Sequence, residues 1–260
     1  MWPFKRKSIV DAETAKWHAD NFAWLVATFG GFAVLVDTVL VLPQPGFFPI
    51  DDEKGYARAV RIFEQVKHYC GMDEWPFHVS PAQESPAYDV STLPRTAARA
   101  KPTQGTFPVA DDAVRATYEL LLDNPELLIA SFAHECARRL LMSAPSVPPC
   151  ADDEHDFLVH LAAVYLGFGV FMANSVWDIA RSHFDANTGR SGYLPEQDVI
   201  FATALFIAAK ELDPQTAYEC LKPHLAKMLK RALRDLTVDT HFIGQIRASG
   251  PAEEAGGEQP

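Results

Sequence analysis

Cysteine is scarce in this chain: Cys70, Cys136, Cys150 and Cys220 are the only 4 in 260 residues. No two of them form a Cys-x-x-Cys pair, which argues against a zinc knuckle or a thioredoxin-type dithiol. So few thiols over this length fit a reducing compartment, with all four free. Basic charge is scarce as well. Lys and Arg number 23 against 34 Asp and Glu, a net charge of −11. Such a surface is poorly suited to neutralising phosphates, so general nucleic-acid binding is not expected. Basic residues cluster only at Lys5-Arg6-Lys7 and between Lys222 and Arg234, and the second stretch alternates with apolar residues as a solvated helix face does. Long hydrophobic runs are also missing. Phe22 to Val36 covers about 15 residues, contains Gly30-Gly31 and ends at Asp37, short of the roughly 20 needed to span a bilayer. Leu161 to Ala173 is shorter still. No membrane span and no signal peptide are expected, which leaves a cytoplasmic location as the default. Nucleophile-elbow, Walker and dinucleotide glycine motifs are absent.

With 48% hydrophobic and 22% charged residues, the chain can bury a substantial core. It reads as an α+β protein, mainly helical. A single domain over 1–246 divides into a mixed half (1–120) with a small sheet and a helical half (121–246). The Gly-, Ala-, Glu- and Pro-rich residues 247–260 are expected to be a disordered tail. Helices are expected from Asp11 to Phe29 and from about Glu53 to Tyr69. Val- and Leu-rich Phe32 to Leu42 is expected to be a strand or strand pair. Further strand candidates are Trp75 to Val79, Phe107 to Val109 and Val114 to Leu120. Residues 80–101 and 189–193 are expected to be loops.

In the helical half, Asn124-Pro125-Glu126 marks a helix start, with Asn as N-cap and Pro at the first position. This helix runs to about Met142. Ser143 to Ala151 is a proline-rich connection, and Asp152-Asp153-Glu154 opens a second long helix reaching Ser175 or beyond. Pro195-Glu196 opens a helix through Glu211, and Asp213-Pro214 opens a last one to about Leu236.

The first of these helices carries His134 and Glu135. A His-Glu-x-x-His pattern puts two imidazoles on one helix face to hold Zn²⁺, with the Glu as general base. Here Arg138 stands at the second His position. Two helices joined by a short connection should pack antiparallel. His134 and His160 lie at equal distance from its middle, so they should face each other at the same height. Gly167 and Gly169 would let the two backbones approach. Asp156 lies one turn before His160, and Glu154 and His155 stand near the mouth. The polar cluster is thus His134, Glu135, Arg138, Asp156 and His160.

This stretch resembles zincin-like metallopeptidases, which implies a zincin-like core for the α+β domain. More closely, Pro125 to Asn174 resembles a group of uncharacterised bacterial proteins with a His-Glu-x-x-His helix, an acid-rich segment and the string Leu-Gly-Phe-Gly-Val-Phe-x-Ala-Asn-Ser. That string stands here as Leu166 to Ser175. Gly192-Tyr-Leu-Pro-Glu196 is similar, and more loosely so are Leu42-Pro43 and Phe47-Phe-Pro49. The resemblance implies His134 as first metal ligand, Glu135 as general base, position 138 as second ligand, and an Asp where this chain has His160. Arg cannot ligate a cation, so a zinc site would have to use His134, His160 and Asp156.

Three functions follow as expectations. The first is a metallopeptidase-like protein with an altered, inactive site, in which the Arg138 guanidinium replaces the metal and holds Glu135, Asp156 or both. The second is a non-catalytic interaction or structural protein on the same scaffold, with an unknown protein or peptide as partner. The third is a working zinc hydrolase. Against the first stands a plainer reading of Arg138 as a surface residue beside Arg139, and His160 can equally be a hydrogen-bonded core histidine. Cys136 reads as a small core residue. His183, His224 and His241 read as surface residues. Asp185 to Gly189 lacks the acids of a calcium loop.

Overall fold

The structure, a computed structural model, describes residues 8–48, 53–79, 113–114, 124–182 and 194–251, with the backbone alone for 113–114 and 177–182. Within these residues the protein is mainly helical. Helix α1 (Ala12–Thr28) starts where Asp11 accepts a hydrogen bond from the Thr14 N–H, and buries His18, Ala19, Phe22, Leu25 and Val26.

The strand expected at Phe32 to Leu42 is instead a short helix, α2 (Gly31–Asp37), followed by an irregular segment. Gly30 and Gly31 take φ of 107° and 80°, and the two helices meet at 95°. Only glycine enters that region freely, and the turn lets Leu35 reach the core. Valine's strand preference is a weak prior that such packing overrides. Lys210 completes the C-terminal end of α2 by donating to the carbonyls of Leu35, Val36 and the capping Thr38, acceptors that a helix end leaves short of N–H partners.

Helix α3 (Gly55–Tyr69) leads to a minimal parallel pair, β1 (His78–Val79) and β2 (Ala113–Val114), in which His78 pairs with Ala113 and Val79 with Val114. The small N-terminal sheet is thus two residues long in each described strand. The strand candidates at 107–109 and 115–120 and the loops at 80–101 and 189–193 lie outside the described residues.

Helix α4 (Pro125–Met142) starts as expected, with the Asn124 side chain accepting from the Leu127 N–H. After a 3-10 turn (Asp152–Glu154) come α5 (His155–Ala163), a π-turn (Val164–Phe168) and α6 (Gly169–Ser182). Helix α7 (Glu196–Ala209) is buried along nearly its whole length, because α1, α6, α9 and α10 pack around it. A helix apolar on all sides is a core helix. The last helix expected from Asp213 to Leu236 is two, α8 (Gln215–Cys220) and α9 (Pro223–Val238); proline cannot donate to the preceding turn, so Pro223 starts a new helix.

A further helix, α10 (His241–Ala248), went unanticipated. Arg247 caps α7 by donating to the carbonyls of Ala208 and Ala209. The Ser249 carbonyl accepts from the Phe32 N–H. The described helix thus runs through Ala248, with Ser249 joined to Phe32. Among the described residues one helical stretch, Asp152–Val176, is long and apolar enough to cross a membrane; its most apolar 18-residue window has a mean hydropathy of 1.7 and is 89% buried within the protein. All four cysteines are free thiols.

Candidate functional site

Helix α4 buries Leu128, Ile129, Phe132, Ala133, Cys136, Ala137 and Leu140 against α3, α5 and α6. Its least buried stripe is Ser131, His134, Glu135, Arg138 and Met142. The stripe follows helical spacing, since residues three and four apart stack on one face. His134 and Glu135 thus lie on the more open side of a mostly buried helix.

The structure brings His134 and His160 together. Their rings meet edge to face with centroids 4.9 Å apart. His160 is buried at 1% exposure, while His134 is half-buried. The remaining site residues are not gathered around that pair. Asp156 is exposed. Arg138 is also exposed, its side chain 55% accessible, and its Nε lies 3.7 Å from Glu135 Oε2. The guanidinium does not occupy a buried metal position between Glu135 and Asp156. Its neighbour does the closer work: Arg139 Nε donates to Glu135 Oε1 at 3.2 Å. Arg139 also lies over the Phe77 ring, 4.6 Å from its centroid. Position 139 is about 100° around the helix from 138, which turns it toward β1.

As a zinc centre this constellation does not fit. Among the described residues, no three His, Cys, Asp or Glu side chains converge so as to hold a metal ion. A catalytic zinc takes three protein ligands and a water. Glu135, the expected general base, has its Oε1 bonded to Arg139 Nε, with Arg138 Nε 3.7 Å from Oε2.

The string from Leu166 to Ser175 has a structural meaning. Gly167 takes φ 94°, and a Cβ there would lie 2.0 Å from the Val39 carbonyl oxygen. The Gly167 carbonyl accepts from the Val41 N–H at 2.9 Å. A Cβ on Gly169 would lie 2.4 Å from Thr203 Oγ1 on α7. The two glycines therefore seat the segment after α2 and helix α7, not α4 against α5 as their spacing had implied. Asn174 ties α6 to the α8–α9 turn. Its amide donates to the Cys220 carbonyl, and its Oδ1 accepts from the Lys222 N–H.

Sequence reasoning missed a second polar pair. His18 is fully buried, and its Nε2 lies 3.0 Å from Asp198 Oδ1 on α7. Its signal was available: His18, Phe22 and Leu25 recur at helical spacing on the buried face of α1. Beside it, Trp17 Nε1 donates to Glu154 Oε2, so Glu154 supports α1 instead of the mouth of a site. Burial and a hydrogen bond shared with Cys136 push the Cys70 thiol well above its ordinary range, which makes it a poor nucleophile. His224 is exposed and pairs with Glu196.

The chain matches no protein-family model, no curated protein and no solved structure.

Proposed function

We propose that this chain is a non-catalytic binding protein whose His134-Glu135 helix is a metallopeptidase-like site altered beyond hydrolysis. The observation that supports this reading is the Glu135–Arg139 pair. A general base must be free to take a proton from a water held beside it. Here the carboxylate is bonded at 3.2 Å to a guanidinium that is itself seated on Phe77. Arg138 adds a second positive charge at 3.7 Å. The zinc-hydrolase reading needs the His134–His160 apposition to be completed by a third ligand, and among the described residues none joins it, Asp156 being exposed.

Zinc content of the purified protein tests the proposal, measured on the wild type, Arg138→His and His134→Ala. The expected result is no stoichiometric zinc in the wild type and unchanged thermal stability on adding zinc. Stoichiometric zinc lost in His134→Ala, together with peptide hydrolysis lost in Glu135→Gln, would overturn it.

A further inference from the structure

Val36 and Val39 are 52% and 48% exposed and line the same groove. They lie on α2 and the segment that follows it. Exposed aliphatics gathered in one place, unlike scattered ones, mark a binding surface. The groove holds about 530 Å³ and is walled also by Leu40, Leu42 and Leu212. That volume lies within the roughly 300–1,000 Å³ of ligand-binding clefts.

The charges of the groove select its occupant. Asp37 and Asp213 line it, and both are exposed. Lys210 also lines it, but its ammonium is turned into the carbonyls of Leu35, Val36 and Thr38. The groove thus offers aliphatic walls and two carboxylates: Asp37 faces the Lys210 charge, and Asp213, whose Oδ1 accepts from the Gln215 N–H, is the one left to meet a basic side chain. An anionic lipid surface would be repelled by those carboxylates and by the net charge of −11. We infer that this groove docks a peptide segment that places aliphatic side chains beside lysine or arginine. The inference rests on the reading of the chain as a binding protein and gives that reading a partner class. Preformed walls favour such docking, because the ordering cost falls on the peptide alone.

The probe is a phage-displayed library of random peptides of about twelve residues, panned against the full-length protein. Selected peptides are then synthesised, and their affinities measured by fluorescence anisotropy. Clones rich in Leu, Ile or Val with Lys or Arg are expected. Val39→Asp should weaken them at least about tenfold, and Asp213→Lys by a similar factor. Asp153→Lys makes the same change of net charge on the exposed Asp153, outside the groove, and should leave affinity within about twofold. Circular dichroism melts confirm that each variant is folded. Equal weakening by Asp213→Lys and Asp153→Lys would reduce the binding to bulk charge and overturn the inference. So would clones without basic residues, no enriched clones, or binding to anionic phosphatidylserine vesicles that Val39→Asp abolishes. If a selected peptide is bound through the groove and also cleaved with bound zinc, the groove stands and the non-catalytic reading falls.

Discussion

Gly167→Ala should be among the costliest single-methyl additions to this protein. Gly167 has φ 94° in a turn where the long helix breaks between α5 and α6. An L-residue in a left-handed conformation costs about 1–2 kcal/mol. The added Cβ would fall 2.0 Å from the Val39 carbonyl oxygen, so the Val39 segment must move. Moving it breaks the Val41 N–H bond to the Gly167 carbonyl, worth about 1 kcal/mol. It also loosens Val41 and Leu42, which are 0% and 5% exposed. Partial release of two aliphatic side chains adds about 1–2 kcal/mol. The total, about 3–5 kcal/mol, is a large part of the roughly 5–15 kcal/mol that holds a native domain together.

Urea and thermal unfolding followed by circular dichroism measure it. At about 2–4 °C per kcal/mol for a chain near this size, the melting temperature should fall by about 6–20 °C. Gly244→Ala is the internal reference: Gly244 is exposed in α10, and nothing lies within 4 Å of the position a Cβ would take. There the substitution should stabilise by up to about 1 kcal/mol, the ordinary helix preference for alanine. If Gly167→Ala unfolds within about 1 kcal/mol of the wild type, the close approach of Val39 is not what the glycine serves.

Arg139→Ala should cost about 1–2 kcal/mol, since it removes both a part-buried ion pair and a cation over the Phe77 ring, whereas Arg138→Ala should stay within about 0.5 kcal/mol; equal costs in urea melts would place the two arginines wrongly. Asp20 tests the acid limb. Burial works to raise its pKa, but hydrogen bonds from Gln245 and Lys16 outweigh that and hold it below the usual 3.8. A carboxyl depressed in the folded state contributes stability above its unfolded pKa and loses it as pH falls through the folded value. Stability measured from pH 5 downward should therefore fall less steeply in Asp20→Asn, and parallel curves for the two proteins would refute the assignment.

Helix positions were legible in the sequence where a chemical signal marks an end. Asn124-Pro125 fixes the start of α4 within a residue because an Asn side chain and a proline both suit a helix entrance. Phe32 to Leu42 was misread because its valines carry a local preference, while the decisive forces act from afar. The glycine turn redirects the chain, and Lys210, far along the sequence, caps the new helix. The C-terminal helix was missed for a related reason. Its end falls in the residues from 247 onward that were expected to be a tail, until Arg247 is seen closing the end of α7.

The site shows how far spacing alone can reach. Equal distance from a loop correctly predicted that His134 and His160 would meet, because helix rise is constant and the connection is short. Spacing could not say which of two adjacent arginines turns inward. Positions 134 and 138 share a face by periodicity, yet that face is the open one. Arg139, one residue on, turns from solvent toward Phe77 and takes the carboxylate that the motif would have used as a base. A His-Glu pair becomes a hydrolytic centre only when the carboxylate is left free and a third ligand arrives from another element. In this chain the neighbouring residue engages the carboxylate, and among the described residues no third ligand joins the two histidines, with Asp156 exposed. On the proposed reading, the chemistry of the motif depends less on Arg138, the visible departure, than on Arg139, which matches no motif at all.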